Sequence, residues 1–135
     1  MSRKVLMLAA LAVVSLVLAG CGGPAKVNVS MTTYAITADK SEVAAGEVTF
    51  AITNDATDQK HDFLIVKTDA ASDDLPRTAE NNVDPEQVEV IAESGEIEIG
   101  EAKDVTVTLT PGNYVLVCNL PGHYDQGMFV AFEVK

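Results

Sequence analysis

Cys118, His123 and Met128 lie at equal intervals along one short stretch, Cys118-Asn119-Leu120-Pro121-Gly122-His123-Tyr124-Asp125-Gln126-Gly127-Met128, a Cys-x4-His-x4-Met pattern. The chain has only one other histidine, His61, and one other cysteine, Cys21. A thiolate, two imidazoles and a thioether make a soft donor set that suits copper in both oxidation states, and two His with one Cys and a weak axial Met is a one-electron copper arrangement. Zinc takes Cys and His but gains little from a thioether. The Cys-x-x-Cys-His run of haem attachment is absent, and a binuclear copper site needs a second cysteine in the loop. Each residue also has a plainer reading. Cys118 fits a buried core thiol, either histidine a satisfied polar side chain, and Met128 ordinary core filler. All four plain readings must hold together, at four strand ends, for the metal reading to fail.

The elements that would position these residues are strands. Val27 and Val29 alternate with polar neighbours, as do residues 33–38, and Glu47–Thr53 places Val48, Phe50 and Ile52 on one face. His61, Phe63 and Ile65 share a face of the next strand, with His61 at its start. Val105, Val107 and Leu109 line another, and Thr110-Pro111-Gly112-Asn113 is a turn. Tyr114, Leu116 and Cys118 then share a face, and a last strand groups Met128, Val130, Phe132 and Val134. Asp84-Pro85-Glu86-Gln87 fits the cap of one helical turn, and Val88, Val90 and Ile91 fit strand and helix equally. No long amphipathic helical pattern is present. The expectation is an all-β, single-domain β-sandwich. Leu109-x-x-Gly112-x-Tyr114 resembles a tyrosine corner, which supports Greek-key connections. The loop between Cys118 and Met128 would then join adjacent strands at one end of the sandwich, and His61 would reach the same end.

The amino terminus is a separate object. Arg3 and Lys4 precede an apolar run from Val5 to Ala19, the pattern of an export signal over residues 1–20. It ends Leu18-Ala19-Gly20-Cys21, which resembles a lipobox with Cys21 as the lipidated residue. An uncleaved membrane anchor competes with that reading, but the run is short for a span. Residues 21–26 read as a tether and 27–135 as the folded domain. The whole chain has 20 Asp+Glu against 9 Lys+Arg, a net charge of −11. Removing residues 1–20 takes away two bases and no acid, leaving 115 residues with seven bases against 20 acids, or −13. That balance excludes a nucleic-acid partner and favours either plain solubility or docking to a basic partner. Residues 68–103 hold 11 of the 20 acids; the first half of this stretch, 68–83, is expected to be a solvated surface excursion, with a docking surface as the second choice. With Cys21 lipidated, Cys118 is left without a disulfide partner in an oxidising compartment, which favours a metal on it; a Cys21–Cys118 disulfide is the competing reading.

Val115–Met128 together with His61-Asp62-Phe63 resembles the cupredoxin family of small blue copper proteins, over about residues 27–135. The ligand spacing is closer to the sulfocyanin and rusticyanin branch than to plastocyanin. The resemblance implies a Greek-key β-sandwich with one type 1 copper held by His61, Cys118, His123 and Met128, and electron transfer rather than substrate chemistry. It also implies an electron port where His123 nears the surface, ringed by Leu120, Pro121, Tyr124 and Phe129. Donor and acceptor would be redox proteins, with basic docking faces to match the acids. The domain would sit outside the cytoplasm, held at the membrane by Cys21. An extracytoplasmic protein that delivers copper to an enzyme is the alternative within the same fold. Two positions depart from the family pattern. Asp62 stands where many members have Asn, and is expected to accept a hydrogen bond from Asn119 and, as a buried charge, to favour the more positive Cu(II) state. Residue 60 is Lys rather than Gly, which disfavours a close contact from its carbonyl.

Overall fold

A computed structural model describes residues 23–135; residues 1–20, where an export signal is expected, and Cys21 lie outside the described residues. Nine strands follow in order: β1 Ala25–Thr32, β2 Ala35–Ala38, β3 Glu42–Val43, β4 Gly46–Asn54, β5 Leu64–Lys67, β6 Glu89–Glu93, β7 Ala102–Leu109, β8 Gly112–Val117 and β9 Phe129–Val134. They form two sheets of order β2-β1-β4-β7 and β3-β9-β8-β5-β6. Among the described residues there is no helix. This is the expected all-β sandwich, with mixed pairing: β1 runs parallel to β4 and β3 parallel to β9, and the other pairs are antiparallel.

The period-2 pattern has its expected effect. Val27, Val29 and Met31 of β1 and Val48, Phe50 and Ile52 of β4 turn inward to meet Phe63, Ile65, Leu116 and Phe132 from the other sheet. Phe50 lies between Phe63 and Phe132, with ring centroids 5.6 and 5.5 Å away. The Tyr114 hydroxyl donates to the Thr110 carbonyl at 2.7 Å, the bond expected of a tyrosine corner. Residues 84–87 form a turn in which the Asp84 carboxylate accepts from the Glu86 amide at 3.0 Å and the Gln87 side chain at 2.6 Å. The side-chain acceptor closes the turn locally, and the chain enters β6 as a strand.

One expectation is overturned. The stretch from Thr68 to Val83 is not simply a solvated excursion. Leu75 and Val83 are buried and, with Leu64, Val66, Val115, Val117 and Tyr124, build a second core on the outer face of the β5–β8 pair. Strands β5 and β8 are therefore buried on both faces, which explains why Leu64–Val66 and Tyr114–Val117 read as unbroken apolar runs. The acids that made the stretch look solvated flank its apolar anchors: Asp73, Asp74 and Glu80 are exposed while Leu75 and Val83 are not.

Asn54 ends β4 in register with Val48, Phe50 and Ile52, and is fully buried. Its amide donates to the carbonyls of Gln59 and Ile97, at 3.1 and 3.0 Å, and its oxygen accepts from the Ala56 amide at 3.0 Å. A polar side chain in an apolar core requires such partners. Here they fold residues 55–60 back under the sandwich and lead the chain to His61.

Candidate metal centre

His61 does not open a strand. It makes an isolated bridge to Ile97, with its amide donating to the Ile97 carbonyl at 3.1 Å and its carbonyl accepting from the Ile97 amide at 2.7 Å; β5 begins at Leu64. The Ile97 carbonyl that takes the His61 amide also accepts from Asn54, so β4 and the His61 segment share an anchor. On the other side, Val117 of β8 pairs with both Leu64 and Phe129. One residue further on, the Cys118 amide donates to the Met128 carbonyl at 3.0 Å. Cys118 and Met128 thus face each other across the mouth of the loop. Within it the His123 amide donates to Leu120 at 3.0 Å and the Met128 amide to His123 at 3.2 Å. Gly122 and Gly127 take φ values of 77° and 96°, a region closed to most side chains, and so let the loop turn twice within a few residues.

The donor atoms converge. His61 Nδ1 is 3.3 Å from His123 Nδ1, and Cys118 Sγ is 3.7 Å from His61 Nδ1 and 3.3 Å from His123 Nδ1. These three form the cluster able to hold a metal ion. With bonds of about 2.0 Å to nitrogen and 2.3 Å to sulfur, as for zinc, a trigonal centre separates its donors by roughly 3.5–3.7 Å, so the spacing fits a single ion between them. His61, Cys118 and Met128 are buried and His123 is partly exposed. Met128 joins them through the main-chain bonds that place it beside Cys118 and His123.

Electrostatics follow from burial. Desolvation pushes the Cys118 thiol up to about 12, with the nearby Asp62 carboxylate adding to it. The same effect lowers His61, helped by neighbouring His123, and lowers His123. The imidazoles are therefore neutral with lone pairs available, while a metal must displace the thiol proton. The His61 ring turns its Nδ1 to the cluster, toward His123 Nδ1 and Cys118 Sγ. Among the described residues Cys118 is a free thiol.

The residue after each of three candidate ligands pins it. Asp62 donates its amide to Cys118 Sγ at 3.4 Å, and its carboxylate accepts from the Asn119 amide. The expected Asp62–Asn119 link therefore exists, but through the main chain of Asn119. The Asn119 side chain turns the other way. It accepts from the Val83 amide at 2.7 Å and donates to the Val83 carbonyl at 3.0 Å. Tyr124, expected to ring an exposed port, is instead fully buried in the second core. Its hydroxyl donates to the Ser72 carbonyl at 2.8 Å and accepts from the Leu75 amide at 3.0 Å, with Arg77 stacked 4.8 Å over its ring. The alternation of buried Tyr124 with exposed Asp125 is set by this second core, which sequence spacing did not reveal. Leu120 and Phe129 are partly exposed and Pro121 exposed, as the port expectation requires.

Sequence reasoning also passed over Asn54, Val83 and Tyr34. Asn54 had a signal, since it continues the inward period of β4. Val83 had none, because its role is played by main-chain atoms. Tyr34 packs edge-on against His123, with centroids 5.4 Å apart, across a turn far away in sequence.

No protein-family profile matches the chain. Auracyanin-A of Chloroflexus aurantiacus is 28% identical over 155 residues, covering 94% of this chain and 96% of its own. The solved structure of that protein, described as a "blue" copper protein, superposes at TM-score 0.60 with 27% identity over 84% of this chain and 100% of its own. In fold and in sequence the chain is similar to these blue copper proteins, and its two sheets match the cupredoxin β-sandwich. Dithionite-reduced auracyanin of Roseiflexus castenholzii matches at TM-score 0.61 and 25% identity, over 84% and 99% of the two chains. Rusticyanin of Thiobacillus ferrooxidans, at TM-score 0.55 and 23% identity over 84% and 79%, shares the fold. The cupredoxin sandwich explains why the site lies where it does: loops from both sheets meet at one end, and this chain's ligand-type residues are on them.

Replacing Tyr124 by Phe keeps the ring in the second core but leaves the Ser72 carbonyl and Leu75 amide unpaired. The expected cost is about 2 kcal/mol of stability, read as a lowered urea midpoint at unchanged slope. An unchanged midpoint would show that the clamp does not hold residues 72–75.

Proposed function

We propose that the protein carries single electrons between redox proteins, using one copper ion held by His61 Nδ1, Cys118 Sγ, His123 Nδ1 and Met128 Sδ. The observation that carries this reading is the convergence of one thiol sulfur and two imidazole nitrogens within 4.8 Å of one another at a buried strand mouth that also holds a methionine. The donor set is soft and mixed, as copper electron-transfer sites require, and the likeness to auracyanin supports it. Copper, when bound, supplies a one-electron couple between Cu(I) and Cu(II).

The chain's own residues do the rest. Burial keeps both imidazoles neutral at physiological pH. The Asp62 amide directed at Cys118 Sγ stabilises the thiolate that ligation needs. Bonds from Asp62, Asn119 and Tyr124 hold the ligand loop against the body of the sandwich, so the donor positions change little with oxidation state. His123, partly exposed beside Leu120 and Pro121, gives electrons the shortest way out. A small contact of this kind suits encounters that must dissociate quickly. Exposed acids at this end, Asp58 beside the His61 segment and Asp125 in the ligand loop, favour partners with basic docking faces.

Residues 1–20 are read as an export signal and Cys21 as the lipidated residue, which would tether the domain to the outer face of a membrane. The support is the charged start, the apolar run and the small residues before Cys21. Changing Cys21 to Ser is expected to move the protein out of the membrane fraction of the producing cell; retention there would count against the anchor.

Copper-loaded protein is expected to show an intense visible thiolate-to-Cu(II) band and reversible one-electron redox, and Cys118→Ser is expected to abolish the band. A colourless site that releases Cu(I) readily would favour copper delivery instead. Asp62→Asn removes a negative charge from the residue whose amide contacts Cys118 Sγ and is expected to raise the potential; potentiometry showing no rise would remove Asp62 from the tuning of the site.

A further inference from the structure

The β1–β2 connection is a two-residue loop, Thr33-Tyr34, between the paired residues Thr32 and Ala35. Loops of this length turn tightly by using positive φ, which Gly, Asn and Asp adopt most readily. Here the position belongs to Tyr34, at φ 55°, a region that a bulky residue occupies only at a cost. The side chain does not repay that cost by filling the core. Tyr34 is 42% exposed, and among the described residues it and Ile99 are the exposed large hydrophobics. Functional sites are where such unfavoured backbone states concentrate.

The ring is nevertheless held in place. Thr33 Oγ1 donates to Asp58 Oδ1 at 2.8 Å, tying the turn to the segment that leads into His61. The Asp55 amide donates to the Met31 carbonyl at 2.8 Å, bracing the turn from below. So fixed, the Tyr34 ring meets the His123 imidazole edge-to-face, at 5.4 Å and 78°. The other ring against His123 is His61, at 5.2 Å and 71°. The imidazole therefore stands between a buried ring and an exposed one. Its main chain is fixed by the bonds to Leu120 and Met128, but those bonds leave the ring free to rotate.

We propose that Tyr34 is a positioning residue for His123: supplied by the opposite sheet, its ring is the outer wall that keeps the imidazole turned toward Cys118 and His61. This rests on His123 being a copper ligand. It accounts for a tyrosine where the hairpin itself would be better served by glycine or asparagine. The ligand loop alone does not complete the site; the β1–β2 turn, close to His123 only in space, closes it.

Tyr34→Gly separates positioning from folding because the two effects have opposite signs. Relief of the left-handed backbone leaves the metal-free protein as stable as the parent or more so. Loss of the ring should let the imidazole turn and weaken the nuclear Overhauser contact between the ring protons of His123 and His61, whose centroids lie 5.2 Å apart, seen by NMR of the metal-free protein. It should also alter the visible and EPR signature of the copper form and weaken copper retention against a chelator by on the order of fivefold, the worth of one aromatic pair. Tyr34→Phe, which keeps the ring, should restore all three. The proposal is overturned if Tyr34→Gly leaves the His61–His123 Overhauser contact, the copper spectrum and retention unchanged, or if its copper defect comes with an equal loss of metal-free stability. Should the parent protein refuse copper, the metal assignment fails separately, and the metal-free NMR comparison still decides whether Tyr34 orients His123.

Discussion

The site depends on a short set of bonds made by Asp62. Two loops that are distant in sequence must present sulfur and nitrogen within a few ångströms of each other, in a place with little water to screen mistakes. Asp62 meets that constraint from both ends of its own backbone and side chain. Its amide points at Cys118 Sγ, and its carboxylate takes the amide of the next residue, Asn119. Residue 62 follows one candidate ligand and residue 119 follows another, so the contact fixes the His61 loop and the cysteine loop in register. An electron carrier needs this rigidity in its protein part, because donors that shift with oxidation state slow transfer.

A second layer stands behind that contact. Residues 68–88 do not merely connect β5 to β6. They cover the outer face of the β5–β8 pair with Leu75 and Val83 and grip the ligand loop through Asn119 and Tyr124. The Gly122 amide adds a bond to the Glu80 carbonyl at 3.1 Å, and Asp125 sits 3.5 Å from Arg77. The acids of this stretch keep its outer surface wet while the few apolar residues between them dock. The ligand loop is therefore packed on one side by the main core and on the other by a core of its own, which a sandwich of two sheets alone would not provide.

Tyr34 and Tyr124 show how similar residues reach opposite fates. Tyr124 lies next to a candidate ligand, yet it turns away into the second core, with its hydroxyl satisfied by main-chain groups. Tyr34 lies far from every ligand in sequence and ends up against the most exposed of them. Proximity along the chain decided neither. The edge of His123 that faces solvent is walled by the loop that happens to cross there, and that is settled by how the two sheets stack.

The amino-acid sequence by itself determined the class of fold, because period-2 apolar patterning and turn residues dictate which faces of β1, β4 and β9 are buried, and short apolar runs mark β5 and β8. It also determined the chemistry on offer, because Cys118, His123 and Met128 at equal spacing in a loop, with one remote His61, already form a coherent donor set. The second core was legible only in part: unbroken apolar runs at Leu64–Val66 and Tyr114–Val117 marked strands buried on both faces, but nothing local said that an acid-rich stretch supplied the cover. What only the tertiary structure decided was which atoms meet. The use of Nδ1 on both imidazoles, the main-chain rather than side-chain bond from Asn119 to Asp62, the grip of Val83 and Ser72, and the ring of Tyr34 against His123 all involve backbone groups or long-range juxtapositions. Every residue carries the same amide and carbonyl, so no residue type announces where they will point until the sheets have packed.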